Sequence, residues 1–72
     1  MDYKAELITG SRTKYYVTDE NGERVAILED RDTAETNRGW RAWSWESGET
    51  LLSGRYAGGT LDYVLSVADE WL

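Results

Sequence analysis

Apolar and polar residues alternate along most of the chain, and the period of this pattern changes near the C-terminus. In residues 2–8, DYKAELI, apolar side chains hold every second position at Tyr3, Ala5 and Leu7, which is the period of a half-buried strand. Residues 60–72, TLDYVLSVADEWL, instead place apolar side chains three or four positions apart, which is the period of a helix. The pattern therefore predicts strands first and one helix last.

Residues 14–29, KYYVTDENGERVAILE, carry the clearest hairpin signal. Two β-favouring runs flank Asn21-Gly22, the pair that most readily adopts the positive φ angles of a type I′ turn. In that alignment Thr18 faces Val25, one sheet face holds Tyr16, Val25 and Ile27, and the other holds Tyr15, Val17, Ala26 and Leu28. Both faces are apolar, which is expected of strands that are covered on two sides or that offer one face to a partner.

A second hairpin is predicted from WRAWSW to TLLSGRY, around Ser47-Gly48. A two-residue loop there gives the pairs Trp45–Thr50, Trp43–Leu52 and, on the reverse face, Trp40–Arg55. The same loop sets Glu46 against Glu49, and directly opposed like charges are unfavourable. A four-residue loop is therefore an equal alternative.

The C-terminal segment predicts one amphipathic helix with good end signals. Its apolar stripe consists of Leu61, Val64, Leu65, Ala68, Trp71 and Leu72. Gly58 and Gly59 end the preceding strand, and Thr60 is a suitable N-cap. Asp62 lies near the positive end of the helix dipole.

These elements predict an α+β fold in a single domain, residues 1–72. We expect an antiparallel sheet of about five strands, arranged as a three-strand meander plus a hairpin, with the helix packed on one face. The helix stripe and the face of Trp43, Trp45 and Leu52 would form the core, because a small domain needs large buried rings. A small barrel of the same strands, plugged by the helix, is the alternative.

Composition limits how this chain can be stabilised and what it attracts. Its 72 residues include neither cysteine nor histidine, so disulfides and the usual zinc ligands are absent. With 14 acidic and 8 basic residues, the net charge of -6 disfavours binding to nucleic acid or to anionic membranes. No apolar run is long enough for a transmembrane span or a signal peptide, so we expect a cytoplasmic protein.

The residue types that common forms of catalysis need are missing. Nucleophilic catalysis usually requires a histidine or cysteine, and neither form of Gly-rich phosphate loop is present. Asp19, Asn21 and Glu23 follow the start of an EF-hand loop, but glycine stands at its fourth position instead of its sixth and Asp30 at its twelfth instead of glutamate. We therefore predict no enzyme, no metal site and no cofactor.

The predicted binding residues are mostly acidic. Carboxylates spaced along a hairpin and loop can imitate the phosphates of a duplex and occupy a basic groove, whereas the alternative is a solvated face that maintains solubility. An exposed Trp–Arg stack also has the composition of an interface hot spot. The predicted partner-binding residues are Asp19, Glu20, Glu23, Glu29, Asp30, Asp32, Glu35, Trp40 and Arg55.

Residues 48–67, GETLLSGRYAGGTLDYVLSV, combine a strand, a glycine turn and the start of a helix. This run resembles the strand, turn and helix of small antitoxin-like and phage accessory domains. The resemblance implies a small sheet-and-helix module. It covers this segment alone, and no functional residue is transferred from it.

The leading hypothesis is a non-enzymatic protein-binding module, a small acidic inhibitor or modulator of a nucleic-acid-processing protein, such as a phage or mobile-element accessory protein that inhibits a defence system. Its partner would be a protein with a basic surface, not nucleic acid or a membrane. Reversing Asp30, Asp32 and Glu35 to lysine should then abolish binding and leave the fold intact. The alternative is a structural, self-associating domain, a homodimer through the face of Tyr15, Val17, Ala26 and Leu28.

Overall fold

A computed structural model describes residues 2–72 as an open five-stranded antiparallel sheet with two short helices. The strands, hydrogen-bonded in chain order, are β1 (Lys4–Leu7), β2 (Lys14–Thr18), β3 (Arg24–Asp30), β4 (Trp40–Ser44) and β5 (Thr50–Arg55). The helices are α1 (Leu61–Ser66) and α2 (Ala68–Trp71). This confirms the predicted α+β fold. The strands form one continuous meander, and the barrel alternative is wrong because β1 and β5 are both free edges.

The β2–β3 hairpin has the predicted pairing along its length but a different turn. Tyr15–Leu28, Tyr16–Ile27 and Val17–Ala26 are paired as expected. The register then shifts, so that Thr18 pairs with Arg24 instead of Val25. Val25 becomes the extra residue of a bulge and packs against the core, not beside Tyr16 and Ile27.

The turn at residues 19–23 is stabilised by glycine and by one carboxylate. Gly22 has a φ of 80°, whereas Asn21 is not at positive φ, so the predicted type I′ turn is wrong and a type I turn followed by a left-handed glycine takes its place. The Asp19 carboxylate accepts the backbone N–H groups of Asn21 and Glu23 at 2.9 and 3.0 Å. Such a side-chain turn fixes the backbone at the tip of the hairpin.

The β4–β5 hairpin adopts the four-residue loop. The Ser44 N–H donates to the Glu49 carbonyl at 2.8 Å, which leaves residues 45–48 as the loop. The pairs Trp43–Thr50, Ala42–Leu52 and Trp40–Arg55 form, with two shifts of register between them. The Trp40–Arg55 pair is confirmed, but Trp43–Leu52 and Trp45–Thr50 are wrong. Because a shift of one residue moves a side chain to the opposite face, Leu52 shares its face with Ala42 instead of Trp43.

The core lies between the helices and one sheet face, here called the inner face. Its buried residues are Val17, Ala26, Leu28, Trp40, Ala42, Leu52, Val64, Ala68 and Trp71. The predicted placement of the tryptophans of β4 is therefore wrong: Trp40 is 2% exposed, and Trp43 and Trp45 lie on the other face. The predicted exposed face of Tyr15, Val17, Ala26 and Leu28 is also wrong, because the helices cover it.

Both buried indoles have hydrogen-bond partners for their N–H groups. The Trp40 Nε1 donates to the Gly59 carbonyl at 3.1 Å, and the Trp71 Nε1 donates to the Val64 carbonyl, also at 3.1 Å. A buried indole needs such an acceptor, since an unpaired donor in the core is costly. Trp40 therefore connects the start of β4 to the segment that precedes α1.

The C-terminal helix begins as predicted but is interrupted. Thr60 caps it, because its Oγ1 accepts the Tyr63 N–H at 3.1 Å. Val64, Ala68 and Trp71 of the predicted stripe are buried, whereas Leu72 is exposed. Val67, at φ -105° and ψ 18°, leaves the helical region and divides the predicted single helix into α1 and α2. Within residues 2–72, neither helix has the length and apolar character needed to cross a membrane.

One carboxylate joins the β3–β4 loop to the segment before α1. Asp32 accepts the Gly39 N–H through Oδ1 and the Gly58 N–H through Oδ2, both at 2.7 Å. Its own N–H donates to the Asp30 carboxylate at 2.9 Å. Charge-assisted hydrogen bonds of this length are among the stronger polar contacts in proteins. Asp32 therefore holds the start of β4 and the start of α1 together.

Candidate interaction surfaces

The sheet face opposite the helices, here called the outer face, carries aromatic rings and is covered by no part of the chain between residues 2 and 72. Tyr16, Ile27 and Trp43 are paired across β2, β3 and β4 and form its middle. Trp45, which follows β4, is 45% exposed and meets the Tyr16 ring edge to face at a centroid distance of 5.8 Å. An apolar sheet face that no other element covers is a candidate interaction site.

Two arginines lie against the rings of the outer face. The Arg24 guanidinium carbon is 3.8 Å from the centroid of the Tyr16 ring and 5.2 Å from that of Trp45. The Arg41 guanidinium carbon is 4.9 Å from the Trp43 centroid. Within residues 2–72 neither arginine has an ion pair, and the Nε of Arg41 is buried without a hydrogen-bond acceptor. The exposed N–H groups of Arg24 are therefore available to a carboxylate of a partner, whereas the Nε of Arg41 is not.

The outer face is locally basic, in contrast to the chain as a whole. The register places four basic and two acidic side chains on this side of the sheet, a local charge of +2 against -6 for the chain. These residues are Lys4, Lys14, Arg24, Arg41, Glu6 and Glu29. Electrostatic complementarity therefore favours carboxylates opposite the outer face.

The opposite charge collects at one end of the sheet, where two loops lie side by side. Gly22, Glu23 and Arg24 line the same shallow depression as Trp45 and Glu46, and the Trp45 N–H donates to the Val25 carbonyl at 3.1 Å. The two loops carry five carboxylates and a single cation, Arg24. The carboxylates are those of Asp19, Glu20, Glu23, Glu46 and Glu49, here called the acidic end.

Tyr3 lies close enough to the acidic end for its negative charges to affect the pKa of the phenol. The pKa of Tyr3 is raised above its usual value, first by partial desolvation of the phenol and then by the negative charges of Asp69, Asp19 and Glu20. Its hydroxyl donates to the Asp69 carboxylate at 3.4 Å. The charges of the β2–β3 turn thus act on the neighbouring strand, because like charges disfavour a phenolate.

The predicted acidic residues lie at both ends of β3 instead of on one surface. Asp19, Glu20 and Glu23 belong to the acidic end, whereas Glu29, Asp30, Asp32 and Glu35 lie at or beyond the far end of the strand. Six residue steps separate the first and last residues of β3, a distance of about 20 Å. The seven carboxylates therefore form two groups at opposite ends of β3.

Several of the far-end carboxylates have structural contacts. Asp30 and Asp32 accept backbone N–H groups, and the Oε1 of Glu29 lies 3.9 Å from the Nε of Arg31. Glu35 is exposed in the β3–β4 loop. Reversing Asp32 to lysine would leave two backbone donors without their acceptor, so the triple reversal of Asp30, Asp32 and Glu35 is not a clean test of binding.

Trp40 and Arg55 are paired in the sheet as predicted, but their side chains lie in different environments. Trp40 is in the core and is not available to a partner. Arg55 is exposed, with its guanidinium carbon 5.0 Å from the Tyr56 ring centroid. We therefore leave Trp40 out of the proposed interaction surfaces.

The residues of the two surfaces that were not predicted as site residues include Glu46, Glu49, Arg24 and Arg41. The sequence did contain one indication about Glu46 and Glu49. A two-residue loop would place these like charges opposite each other, which disfavours that loop. Among residues 2–72, no three acidic side chains converge closely enough to hold a metal ion. The carboxylates of the acidic end therefore do not converge on one point.

Comparison with known proteins adds no relative to this description. No family model, no curated protein and no solved structure matches this chain.

Proposed function

We propose that this chain is a non-enzymatic protein-binding module, a small acidic inhibitor or modulator of a nucleic-acid-processing protein, and that the acidic end is its contact surface. One observation carries the proposal: the fold brings five carboxylates from two loops to one end of the sheet, with a single cation among them. Opposite potentials steer two proteins together and set their orientation. A basic groove is therefore the matching surface.

The spacing of the acidic end supports mimicry of a nucleic acid backbone. One of its loops precedes β3 and the other follows β4, which are neighbours in the sheet, and neighbouring strands lie about 4.8 Å apart. Duplex DNA carries one negative charge per about 1.7 Å of its axis, so a groove built for it accepts closely spaced charges. The acidic end presents several such charges on a rigid hairpin scaffold.

The remaining features of the chain support binding over catalysis. The sequence contains no histidine or cysteine, the residues that most often act as acid–base groups or nucleophiles. The depression beside Trp45 is open, and open sites do not exclude water from a substrate. A phage or mobile-element accessory protein that blocks a defence nuclease is the biological setting that we propose for this physical type.

Affinity capture from a nuclease-treated extract of the source organism tests the proposal. We compare the unmodified chain with an acidic-end variant, E20Q/E23Q/E46Q, by quantitative mass spectrometry. The unmodified chain should enrich a nucleic-acid-binding protein, and the variant should recover at least about tenfold less of it, because close charge pairs across an interface are strongly coupled. Addition of duplex DNA should release the captured protein.

The matched control is E35Q/D62N/E70Q, which also removes three exposed carboxylates but leaves the acidic end intact. Both variants carry the same net charge, so a general charge effect would act on them equally. The control should capture the partner as well as the unmodified chain does. Equal capture by all three proteins, or capture that duplex DNA does not reverse, would contradict the proposal.

A further inference from the structure

We infer that two copies of this chain pack outer face against outer face with their strands antiparallel, and that Arg24 of each copy pairs with Glu29 of the other. This goes beyond the proposed function, because it assigns a second surface and its occupant. The occupant is a second copy of the chain. The inference rests on the register of the sheet, on the unpaired arginines and on the positions of the charges.

The register divides the outer face into three rows that run across the strands. The middle row is Glu6, Tyr16, Ile27 and Trp43, of which Glu6 lies on the edge strand β1. The row beside the acidic end is Thr18, Arg24 and Trp45, which are joined by the Thr18–Arg24 pair and by the position of Arg24 over Trp45. The row at the far end is Lys14, Glu29 and Arg41. Apart from Glu6 at the sheet edge, the central row is therefore apolar, and most of the charged side chains flank it.

A twofold axis in the plane of the interface, perpendicular to the strands and through the middle row, makes this face complementary to itself. The axis places the middle row against itself and exchanges the two flanking rows, as an isologous interface requires. On β3, Arg24 then faces Glu29 of the second copy. On the β4 side, Trp45 faces Arg41 of the second copy. The β3 and β4 positions of the flanking rows therefore meet side chains that complement them, whereas Thr18 faces Lys14 and Glu6 at the β1 edge faces Glu6 of the second copy.

These contacts satisfy groups that lack partners within one copy. Arg24 and Arg41 have no ion pair among residues 2–72. Glu29 has only the distant contact with Arg31, at 3.9 Å. A carboxylate accepts two N–H groups from one guanidinium, and an arginine stacks favourably on a tryptophan ring. The second copy supplies both types of partner.

The position of the acidic ends selects the antiparallel arrangement. With the axis perpendicular to the strands, the two acidic ends lie at opposite ends of the dimer. An axis along the strands would instead bring both sets of five carboxylates together and place Arg24 against Arg24. Directly opposed like charges are destabilising, so the antiparallel packing is favoured.

The area of the outer face fits a weak dimer. A sheet of five strands spaced about 4.8 Å apart, each about five residues long, presents a face of roughly 20 by 17 Å. With the relief of its tryptophan and tyrosine side chains, two such faces bury on the order of 1,000 Å² in total, the low end for a specific interface. We therefore expect a dissociation constant in the micromolar range.

Sedimentation velocity across the micromolar range tests the dimer. The unmodified chain should convert from monomer to dimer as its concentration rises. Ile27→Lys places two like charges on the twofold axis and should raise the dissociation constant at least about tenfold. Leu7→Lys, the same type of change at an exposed position on β1 outside the outer face, should have no effect. A monomer at every concentration, or equal dimerisation by both variants, would overturn the inference.

A charge-swap cycle tests the antiparallel register. Arg24→Glu and Glu29→Arg should each weaken the dimer at least about tenfold, because each sets like charges together across the interface. The double variant R24E/E29R restores opposite charges and should recover most of the affinity. A double variant no better than the single ones would overturn the pairing, provided that thermal unfolding shows all three to be folded.

The same experiment separates this inference from the proposed function. The acidic-end variant E20Q/E23Q/E46Q should dimerise as tightly as the unmodified chain, or more tightly, because it leaves the three rows intact. Ile27→Lys should conversely retain its capture of the nucleic-acid-binding protein. Loss of dimerisation in the acidic-end variant would contradict the placement of the acidic ends away from the interface.

Discussion

Gly39→Ala is expected to remove most of the stability of this protein, about 3–5 kcal/mol. Gly39 has a φ of 81°, and a Cβ there would lie 2.5 Å from the Arg55 carbonyl oxygen, which is a backbone atom that cannot rotate away. The substitution therefore adds the strain of a positive φ to a displacement of β5, and it moves the N–H that Asp32 accepts. The free energy of unfolding by urea, measured by tryptophan fluorescence, checks this result.

Gly22→Ala is the matched control for that experiment. Gly22 has a φ of 80°, almost the same as Gly39, but a Cβ there would meet nothing within 4 Å. The control should lose only the cost of the left-handed conformation, about 1–2 kcal/mol. Equal losses at the two positions would show that backbone conformation alone, without the close approach to β5, accounts for the effect.

Trp40→Ala is expected to cost about 3–5 kcal/mol, the usual range for removal of a buried tryptophan. A domain of 72 residues has a total free energy of unfolding of roughly 4–10 kcal/mol, so this variant should lose a large share of its stability. The reason is the position of Trp40 in the core, where its Nε1 donates to the Gly59 carbonyl at 3.1 Å. Circular dichroism and urea unfolding measure the loss.

Trp45→Ala provides the comparison on the other sheet face. Trp45 is 45% exposed and contacts Arg24 and Tyr16, so its removal should cost about 1 kcal/mol or less. The ratio of the stability losses of Trp40→Ala and Trp45→Ala shows which face of β4 is buried in the core. A larger loss at Trp45 than at Trp40 would contradict the inner and outer faces described above.

Local signals were sufficient to predict the order of the elements and part of their pairing. The alternation around Asn21-Gly22 correctly predicted the pairs Tyr15–Leu28, Tyr16–Ile27 and Val17–Ala26. Thr60 was correctly predicted as the N-cap of the helix. These features depend on residues close together in the sequence. Their physical cause, hydrophobic period or a capping side chain, can therefore be recognised without the rest of the fold.

Which face of β4 packs on the core could not be predicted, because a shift of one residue in the β4–β5 register exchanges the two faces. A two-residue loop pairs Trp43 with Leu52, whereas the observed four-residue loop and the shifts after it pair Ala42 with Leu52. Both β4 faces carry tryptophan, so burial of large rings did not distinguish the alternatives. The like-charge pair Glu46–Glu49 favoured the longer loop but did not decide the face.

The candidate site was predicted in part, for a related reason. Asp19, Glu20 and Glu23 were predicted as site residues from their local density of charge. Their grouping with Glu46 and Glu49 depends on β3 and β4 being neighbours, which places the two loops at the same end of the sheet. The structural role of Asp32 could not be predicted. Its carboxylate oxygens accept the N–H groups of Gly39 and Gly58, and the fold, not the local sequence, brings these groups to it.

The two proposed surfaces are compatible within one assembly. Antiparallel packing of the outer faces leaves the acidic ends at opposite ends of the dimer, so each remains open to a partner. Such a dimer would be bivalent, and binding to two sites on one partner or assembly would gain from effective concentration. The monomeric variant Ile27→Lys should therefore bind a single partner site with unchanged affinity.

The most direct test of the proposed function is competition between this chain and duplex DNA for the captured protein. Fluorescence anisotropy of a labelled duplex bound to that protein measures the displacement. We expect the unmodified chain and E35Q/D62N/E70Q to displace the duplex at similar concentrations, and E20Q/E23Q/E46Q to require at least about tenfold more. Simultaneous binding of duplex and chain, or equal displacement by the two variants, would contradict the acidic end as a surface that occupies a nucleic-acid-binding groove.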